Sequence, residues 1–471
     1  MPALLPGVDL GKRATMNRGT WGSRFGFVVA AAGSAVGLGN IWKFPYITGV
    51  NGGGAFVLVY LACIALVGLP ILIAEILLGR ATQGSPVAAF RQLTRKGSPW
   101  VGTGWLGVAA GFVILSYYSV VAGWAIHYTF LALTNHFNEV GEAKAIAKIF
   151  TDLVGNPGLN IGYHGAFLVL TVAVVIGGVK AGIERWSRIL MPFLGMILVG
   201  MLVYATGLDG FGRALGFVFG GRFSDLHAAG FLEALGHAFF TLSLGMGAML
   251  TYGSYLPKET SIPKSALWVA LLDTVIALLA SMVIFPITFT HGIEPAAGPG
   301  LVFQSLPIAF SQMPAGYPLS ILFFVLLVFA ALTSAISLLE VVASTFIDVY
   351  GWTRRKATLS TGAVIFVCGI PSALSGGSFF GSGFAEFFWG KTFFDVMDYL
   401  SSNWMLPLGG LFVSLYSGYA LKQETSVGEF GGAAAAPLHT VWRATVRYLA
   451  PAAVLMVMLK SSGILALLTG K

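Results

Sequence analysis

Residues 56–79 read FVLVYLACIALVGLPILIAEILLG, a run with a single charged side chain, Glu75. A helix that crosses a bilayer needs about 20 mostly apolar residues, and this run supplies them. Comparable runs recur along the chain. Strands of a membrane barrel would alternate apolar and polar positions over about ten residues; these runs are continuous, so an all-α polytopic membrane protein is expected. Eleven transmembrane helices are placed at 21–49, 54–79, 100–134, 162–180, 186–207, 228–256, 264–291, 317–350, 357–374, 391–421 and 441–469. The longest connections, 135–161, 207–227, 292–316, 375–390 and 422–440, leave no room for a soluble domain. Composition agrees: 56% of residues are hydrophobic and 10% charged, outside the range of soluble domains.

The net charge of +8 would suit nucleic-acid binding, but its distribution points elsewhere. With the N-terminus inside, 19 of the 27 basic residues fall in cytoplasmic segments, among them Arg18, Arg80, Arg91, Arg95, Lys96 and Arg354 to Lys356. The positive-inside rule accounts for that excess. No nucleic-acid partner is expected, and the odd span count puts Lys471 outside. The apolar run near residue 26 is read as a span rather than a secretory signal, because it continues into NIWKFPY and further spans follow. Cys63 and Cys368 sit in apolar runs and are expected to pack rather than pair.

Two spans carry interruptions. Span 1 contains SAVGLGN (34–40) and span 6 contains TLSLGMGAM (241–249). Exposed backbone polar groups cost several kcal/mol each in lipid, so an interruption there has to line a cavity or be enclosed by protein. Glycines two apart, as at Gly37 and Gly39 or Gly245 and Gly247, do not share one helical face; they fit unwinding better than a packing stripe. Interrupted segments in corresponding places of two halves mark a transporter binding site. An unwound turn offers carbonyls to cations, and half-helix N-termini offer amides to anions. A zwitterionic amino acid accompanied by sodium meets both demands.

GSAVGLGNIWKFPYITGVNGGGAF (33–56), AFFTLSLGMGAMLTYGSY (238–255) and ALTSAISLLE (331–340) resemble the neurotransmitter:sodium symporter family, in its bacterial amino-acid transporter branch, and the resemblance extends over essentially the whole chain. It implies a leucine-transporter-type inverted repeat: a cytoplasmic tail over 1–20, one repeat over 21–207, a second over 228–421, and an additional span at 441–469. It also implies sodium-coupled symport of neutral hydrophobic amino acids by alternating access, with two sodium ions as the co-transported species.

The site residues follow from the same resemblance. The first sodium site would use Ala35, Asn40, Thr241 and Asp273; the second, Gly33, Val36, Ala330, Thr333 and Ser334. The substrate carboxylate would meet the amides of Leu38 and Gly39 and the Tyr118 hydroxyl. Its ammonium would meet carbonyls of Ala35, Phe240 and Thr241, with Ser243. An apolar side-chain pocket would be built from Ile114, Phe240, Met246 and Leu338. Family members that carry monoamines have Asp where this chain has Gly37, so a substrate bringing its own carboxylate is expected. Asp273 stands where Asn is commoner, and Ala277 where chloride-dependent members have Ser; both imply chloride independence. Glu75 would brace the interruption of span 6. Lys43 with Asp398 would form an outer gate. Arg18 with Asp348 would form an inner one, plugged by Trp21 and supported by Ser254 and Tyr255. Gly182 and Pro192 would let span 5 unwind.

Enzyme signatures are missing. His127, His164 and His237 show no metal-ligand spacing, and NGGGAF (51–56) lacks the features of a phosphate loop. A channel, a sensor that keeps the fold without transport, and a carrier of an osmolyte or GABA-like compound remain as alternatives at this point.

Overall fold

The computed structural model describes residues 19–221, 223–226, 228–292, 300–432 and 435–461. It is helical, with one isolated β-bridge between Gly53 and Gly221. In chain order the principal helices are α1 (Arg24–Ala35), α2 (Gly39–Val50), α3 (Gly54–Thr82), α4 (Val101–Leu133), α5 (Pro157–Ile176), α6 (Val179–Ala205), α7 (Ala228–Thr241), α8 (Ala248–Gly253), α9 (Ile262–Thr290), α10 (Gly316–Tyr350), α11 (Arg354–Ala373), α12 (Phe393–Ala420), α13 (Gln423–Phe430) and α14 (Ala436–Leu459).

Eight of these, α3 to α6, α9 to α11 and α14, are continuous, long and apolar enough to span a membrane. The pair α1 and α2 is bent by 55° at its break, and α12 and α13 meet at 109°. Counting each bent pair as one span raises the number to ten among the described residues. The expected sixth span is present only as α7 and α8, with residues 242–247 non-helical between them. The exact count of eleven therefore depends on how interrupted helices are scored. The expected last span runs beyond 461, outside the described residues.

Local chemistry sets several boundaries. Ser23 caps α1 by accepting from the Gly26 amide at 2.9 Å, and Thr353 caps α11 through the Lys356 amide. At α12 a capping box forms, with Thr392 and Asp395 satisfying each other's backbone amides.

The helices sort into two packed groups. The two longest, α4 and α10, share the largest interface, and α5 and α11 pack against both and against each other. In the second group α9 packs on α1, α2 and α3, while α7 and α8 rest on the two halves of α3. The interrupted elements thus lie where the groups meet: α1 touches α10, and α8 packs between α3 and α10.

Candidate functional site

The last turn of α1 closes with the Val36 amide on the Ala32 carbonyl at 2.7 Å, and Val36 then turns extended, with ψ at 103°. The chain resumes as a wide π-type turn over Gly39–Lys43. Between them Asn40 folds back, its Oδ1 accepting from the Gly37 amide at 3.0 Å. In the other interruption Ser243, Gly245 and Gly247 all have positive φ, at 54°, 81° and 72°. That region carries little penalty for glycine but is costly for serine, so Ser243 is held there by its surroundings. The Gly245 amide donates to Glu75 Oε1 at 2.7 Å, and Glu75 is fully buried. The carboxylate of α3 therefore holds the unwound backbone, where the sequence placed it.

Between the two interruptions lies a cavity of about 30 Å³. Its lining includes every residue expected to meet substrate: Ala35, Leu38, Gly39, Ile114, Tyr118, Phe240, Thr241, Ser243, Met246 and Leu338. The Leu38 amide faces the Tyr118 hydroxyl at 3.4 Å. The four residues expected for the apolar side-chain pocket are all in the wall, and further polar groups join them. Ser34, Ser334 and Ser337 also line it, and Ser34 Oγ lies 2.7 Å from Ser337 Oγ and 3.3 Å from Ser243 Oγ. Sequence reasoning overlooked Ser34 and Ser337. The i, i+3 spacing of Ser334 and Ser337 in TSAIS was the available signal, because residues so spaced share a helix face.

Two oxygen clusters flank this cavity. On one side Asp273, fully buried, accepts from Asn40 Nδ2 at 2.7 Å, Thr241 Oγ1 at 2.8 Å and Tyr60 Oη at 3.2 Å. Tyr60 carried no sequence signal. A buried carboxylate with an amide and a hydroxyl beside it is a hard donor set of the kind that suits a hard cation. Here the Asn40 amide turns its nitrogen to Asp273 and its oxygen to the Gly37 amide, so presenting that oxygen to such an ion requires half a turn and gives up the Gly37 contact. On the other side Thr333 Oγ1 lies 3.0 Å from the Ala330 carbonyl and 3.5 Å from that of Val36. Ser334 Oγ lies 3.3 Å from the Val36 carbonyl, and the α-carbon region of Gly33 packs against Thr333. All five residues expected at the second ion site are within this neighbourhood.

The expected gates look different. Lys43 and Asp398 line one outer cavity of about 250 Å³ but form no ion pair within 4 Å. Lys43 Nζ sits 4.9 Å from the Phe240 ring centre, and Asp398 accepts from Tyr117 and Ser402, each at 3.1 Å. A lysine ammonium is a point charge on a flexible stem, and here the aromatic face holds it. Phe240 lines both the inner and the outer cavity, together with Leu38, Gly39 and Tyr118, so its ring divides them.

At the opposite, basic end Trp21 is buried and donates its indole N–H to the Tyr252 carbonyl at 2.9 Å. Asp348 Oδ2 accepts the Ser85 amide at 2.7 Å. Arg18 lies outside the described residues, and Ser254 turns its hydroxyl onto the Thr251 carbonyl at 2.6 Å. The Tyr255 hydroxyl donates to Glu340 at 2.5 Å, and Arg354 grips that same carboxylate with both terminal nitrogens, at 2.7 and 2.8 Å. Sequence reasoning missed this pair. A carboxylate inside an apolar run, the signal that picked out Glu75 and Asp273, was equally visible for Glu340. The expected coil in span 5 is wound in this structure: a π-type turn covers Val179–Glu184, and Pro192 lies inside the helix Arg185–Ala205. Met191 packs against Gly33 beside Thr333.

Across residues 18–142 and 144–466 the chain matches the model of the Sodium:neurotransmitter symporter family. The chain belongs to that family. This symporter is accordingly a sodium-dependent, multi-pass membrane transporter and not an enzyme. Its sequence is 39% identical to the sodium-dependent transporter YhdH of Bacillus subtilis over 448 residues, 95% of this chain and 98% of that one. It is 35% identical to a sodium-dependent transporter of Haemophilus influenzae over 452 residues, 94% and 98% of the two chains. Its structure is similar to the crystal structure of MhsT in complex with L-phenylalanine, with a TM-score of 0.87 and 43% identity over 94% of this chain and all of that one. The all-helical, leucine-transporter-type fold expected from the sequence is therefore established.

Proposed function

We propose that this symporter couples two sodium ions to the uptake of neutral hydrophobic amino acids, aliphatic and aromatic, by alternating access and without chloride. One observation carries the reading. The ten expected substrate residues surround a single cavity at two helix interruptions, with an oxygen cluster suited to a cation on either side. The MhsT structure was solved with L-phenylalanine, which supports the substrate class.

In this mechanism the substrate carboxylate lies between the Leu38 and Gly39 amides and Tyr118, and reaches the ion held by Ala35, Asn40, Thr241 and Asp273. The second ion rests on Gly33, Val36, Ala330, Thr333 and Ser334. At about 30 Å³ the inner cavity is small, so a larger side chain enters only as Met246 and Phe240 shift. Movement of the Phe240 ring joins the inner cavity to the outer one. Lys43 then leaves that ring, and its pairing with Asp398 closes the outer side. The basic end is cytoplasmic by the positive-inside rule, with the N-terminus inside and the C-terminus outside. Unwinding between Gly182 and Pro192 withdraws Met191 from Gly33 and opens a path from the second ion to the cytoplasm. The spans of 21–207 and of 228–421 act as inverted repeats, and the span at 441–469 stands apart from them. Each charge moved through 100 mV releases about 2.3 kcal/mol, so two ions supply roughly 4.6 kcal/mol, enough for about thousandfold accumulation.

Uptake of labelled leucine and tryptophan into proteoliposomes, with sodium or potassium outside, tests this. Sodium-dependent accumulation of both is expected, and accumulation of neither overturns the substrate assignment. The hydroxyls of Ser34 and Ser337 favour a second reading, a carrier of a small polar osmolyte; betaine and GABA in the same assay decide between the two.

A further inference from the structure

The basic ends of α4, α10 and α11 leave a groove of about 380 Å³ with almost entirely apolar walls, which shares no lining residue with the cavity at the helix interruptions. Trp105, Phe112, Val342, Phe346, Trp352 and Val364 build most of it. It opens outward rather than into the protein: Val364 is 52% exposed and Ala109 is also exposed. In a multi-pass protein that outward direction is hydrocarbon.

Its mouth is marked by aromatic and basic residues. Trp105 and Trp352 sit near the helix ends, where tryptophan favours the headgroup level. Lys356 Nζ lies 4.6 Å from the Trp352 ring centre, and Arg355 beside it is exposed. From Lys356 to Val364 is eight residues, about 12 Å at 1.5 Å per residue. The groove thus runs from the headgroup level well into the acyl region. The exposed charge at its mouth is positive, because the nearby acids are engaged, Glu340 by Arg354 and Asp348 by the Ser85 amide. No Asp or Glu occurs between residues 81 and 138, a stretch that contains Arg91, Arg95 and Lys96. In 341–385 the only acid is Asp348, which is engaged by the Ser85 amide.

We propose that this groove seats an acyl chain of one anionic phospholipid whose phosphate rests on Arg355 and Lys356. A neutral lipid would fill the apolar walls but leave the mouth charges unanswered. A free phosphate would meet those charges but leave the walls uncovered. Trp352 and Lys356 join the two requirements, because the ring forms a wall of the groove and its face carries the ammonium. Trp352 also lines the polar cavity of Tyr255, Asp348 and Arg354, so the lipid seat and the inner latch share a side chain.

The test measures phospholipid binding to the purified full-length chain by native mass spectrometry, titrating phosphatidylglycerol or phosphatidylcholine. The wild type should hold one phosphatidylglycerol at least five times more tightly than phosphatidylcholine. Ala109→Trp and Val364→Trp, which fill the groove from its open side, should each remove that tight binding. Arg355→Gln with Lys356→Gln should abolish the preference for phosphatidylglycerol while keeping weak binding of both lipids. Glycerol phosphate, the headgroup without tails, should not compete. Equal binding of the two lipids by the wild type overturns the proposal. So does undiminished tight binding in both groove-filled variants, or full competition by glycerol phosphate. The glutamine variant changes only exposed side chains, so it keeps the test decisive if a tryptophan variant fails to fold.

Discussion

The Glu184 carboxylate, in the π-type turn that opens α6, accepts the Gly22 amide at 2.7 Å just ahead of α1. Its second oxygen pairs with Arg188 at 2.5 Å, and Arg188 reaches Ser23, the residue that caps α1. Gly26, one turn along, faces the same carboxylate so closely that a Cβ would collide with it. Two residues of one helix entrance are thus fastened to the span expected to unwind, and a third packs closely against it.

Glu184→Ala should loosen that entrance. The lost acceptor leaves a partly buried amide and the Arg188 charge unanswered, a cost of about 1–3 kcal/mol. A lower midpoint in a detergent thermal-stability assay is expected, with Glu184→Gln, which keeps an acceptor, falling between wild type and Ala. Equal midpoints for all three would show that the contact contributes nothing to stability.

Glu340 and Arg354 form a bidentate pair with the carboxylate fully buried and the guanidinium about a quarter exposed. Removing one partner from a buried pair costs about 3–5 kcal/mol, more than removing both in favour of neutral groups. Arg354→Ala should therefore destabilise the protein more than Glu340→Gln with Arg354→Gln together. A double-mutant cycle measures the coupling, and additive effects would contradict the pairing.

Glu75→Ala should leave the Gly245 amide unsatisfied inside the protein. Binding of labelled leucine should weaken by about 5- to 150-fold, the equivalent of 1–3 kcal/mol. Glu75→Gln should retain most of the affinity, because its amide oxygen can still accept. Equal losses in the two variants would assign the effect to charge rather than to the hydrogen bond.

Asp273→Asn removes the buried negative charge next to Asn40, Thr241 and Tyr60. Uptake in the variant should become stimulated by chloride, while the wild type stays indifferent to it. Unchanged, chloride-insensitive uptake in the variant would remove the role given to Asp273.

Met246→Phe enlarges a wall of a cavity of about 30 Å³ and exchanges a pliable side chain for a stiff one. Discrimination by one or two methylene equivalents is worth about 1–3 kcal/mol. Competition assays should show tryptophan losing ten-fold or more relative to leucine.

Reading the chain alone was enough for features that act within one segment. Long apolar runs specify helices in lipid because no other backbone can satisfy itself there. Glycines two apart at 37 and 39, and at 245 and 247, betray unwinding because they spoil both the helix and any shared face. Glu75 and Asp273 stand out because each is an acid in an apolar run. The partners of Glu184, Glu340 and Asp398 were not legible, nor was the seat of Lys43 on Phe240 in place of Asp398. Each depends on how separate helices rotate and slide against one another, and lipid solvates every apolar helix face equally well, so nothing in the local pattern chooses among them. Tertiary packing chose: it set Glu184 against Gly22, 162 residues away, and wound the turn between Gly182 and Pro192 that glycine and proline alone would have left open.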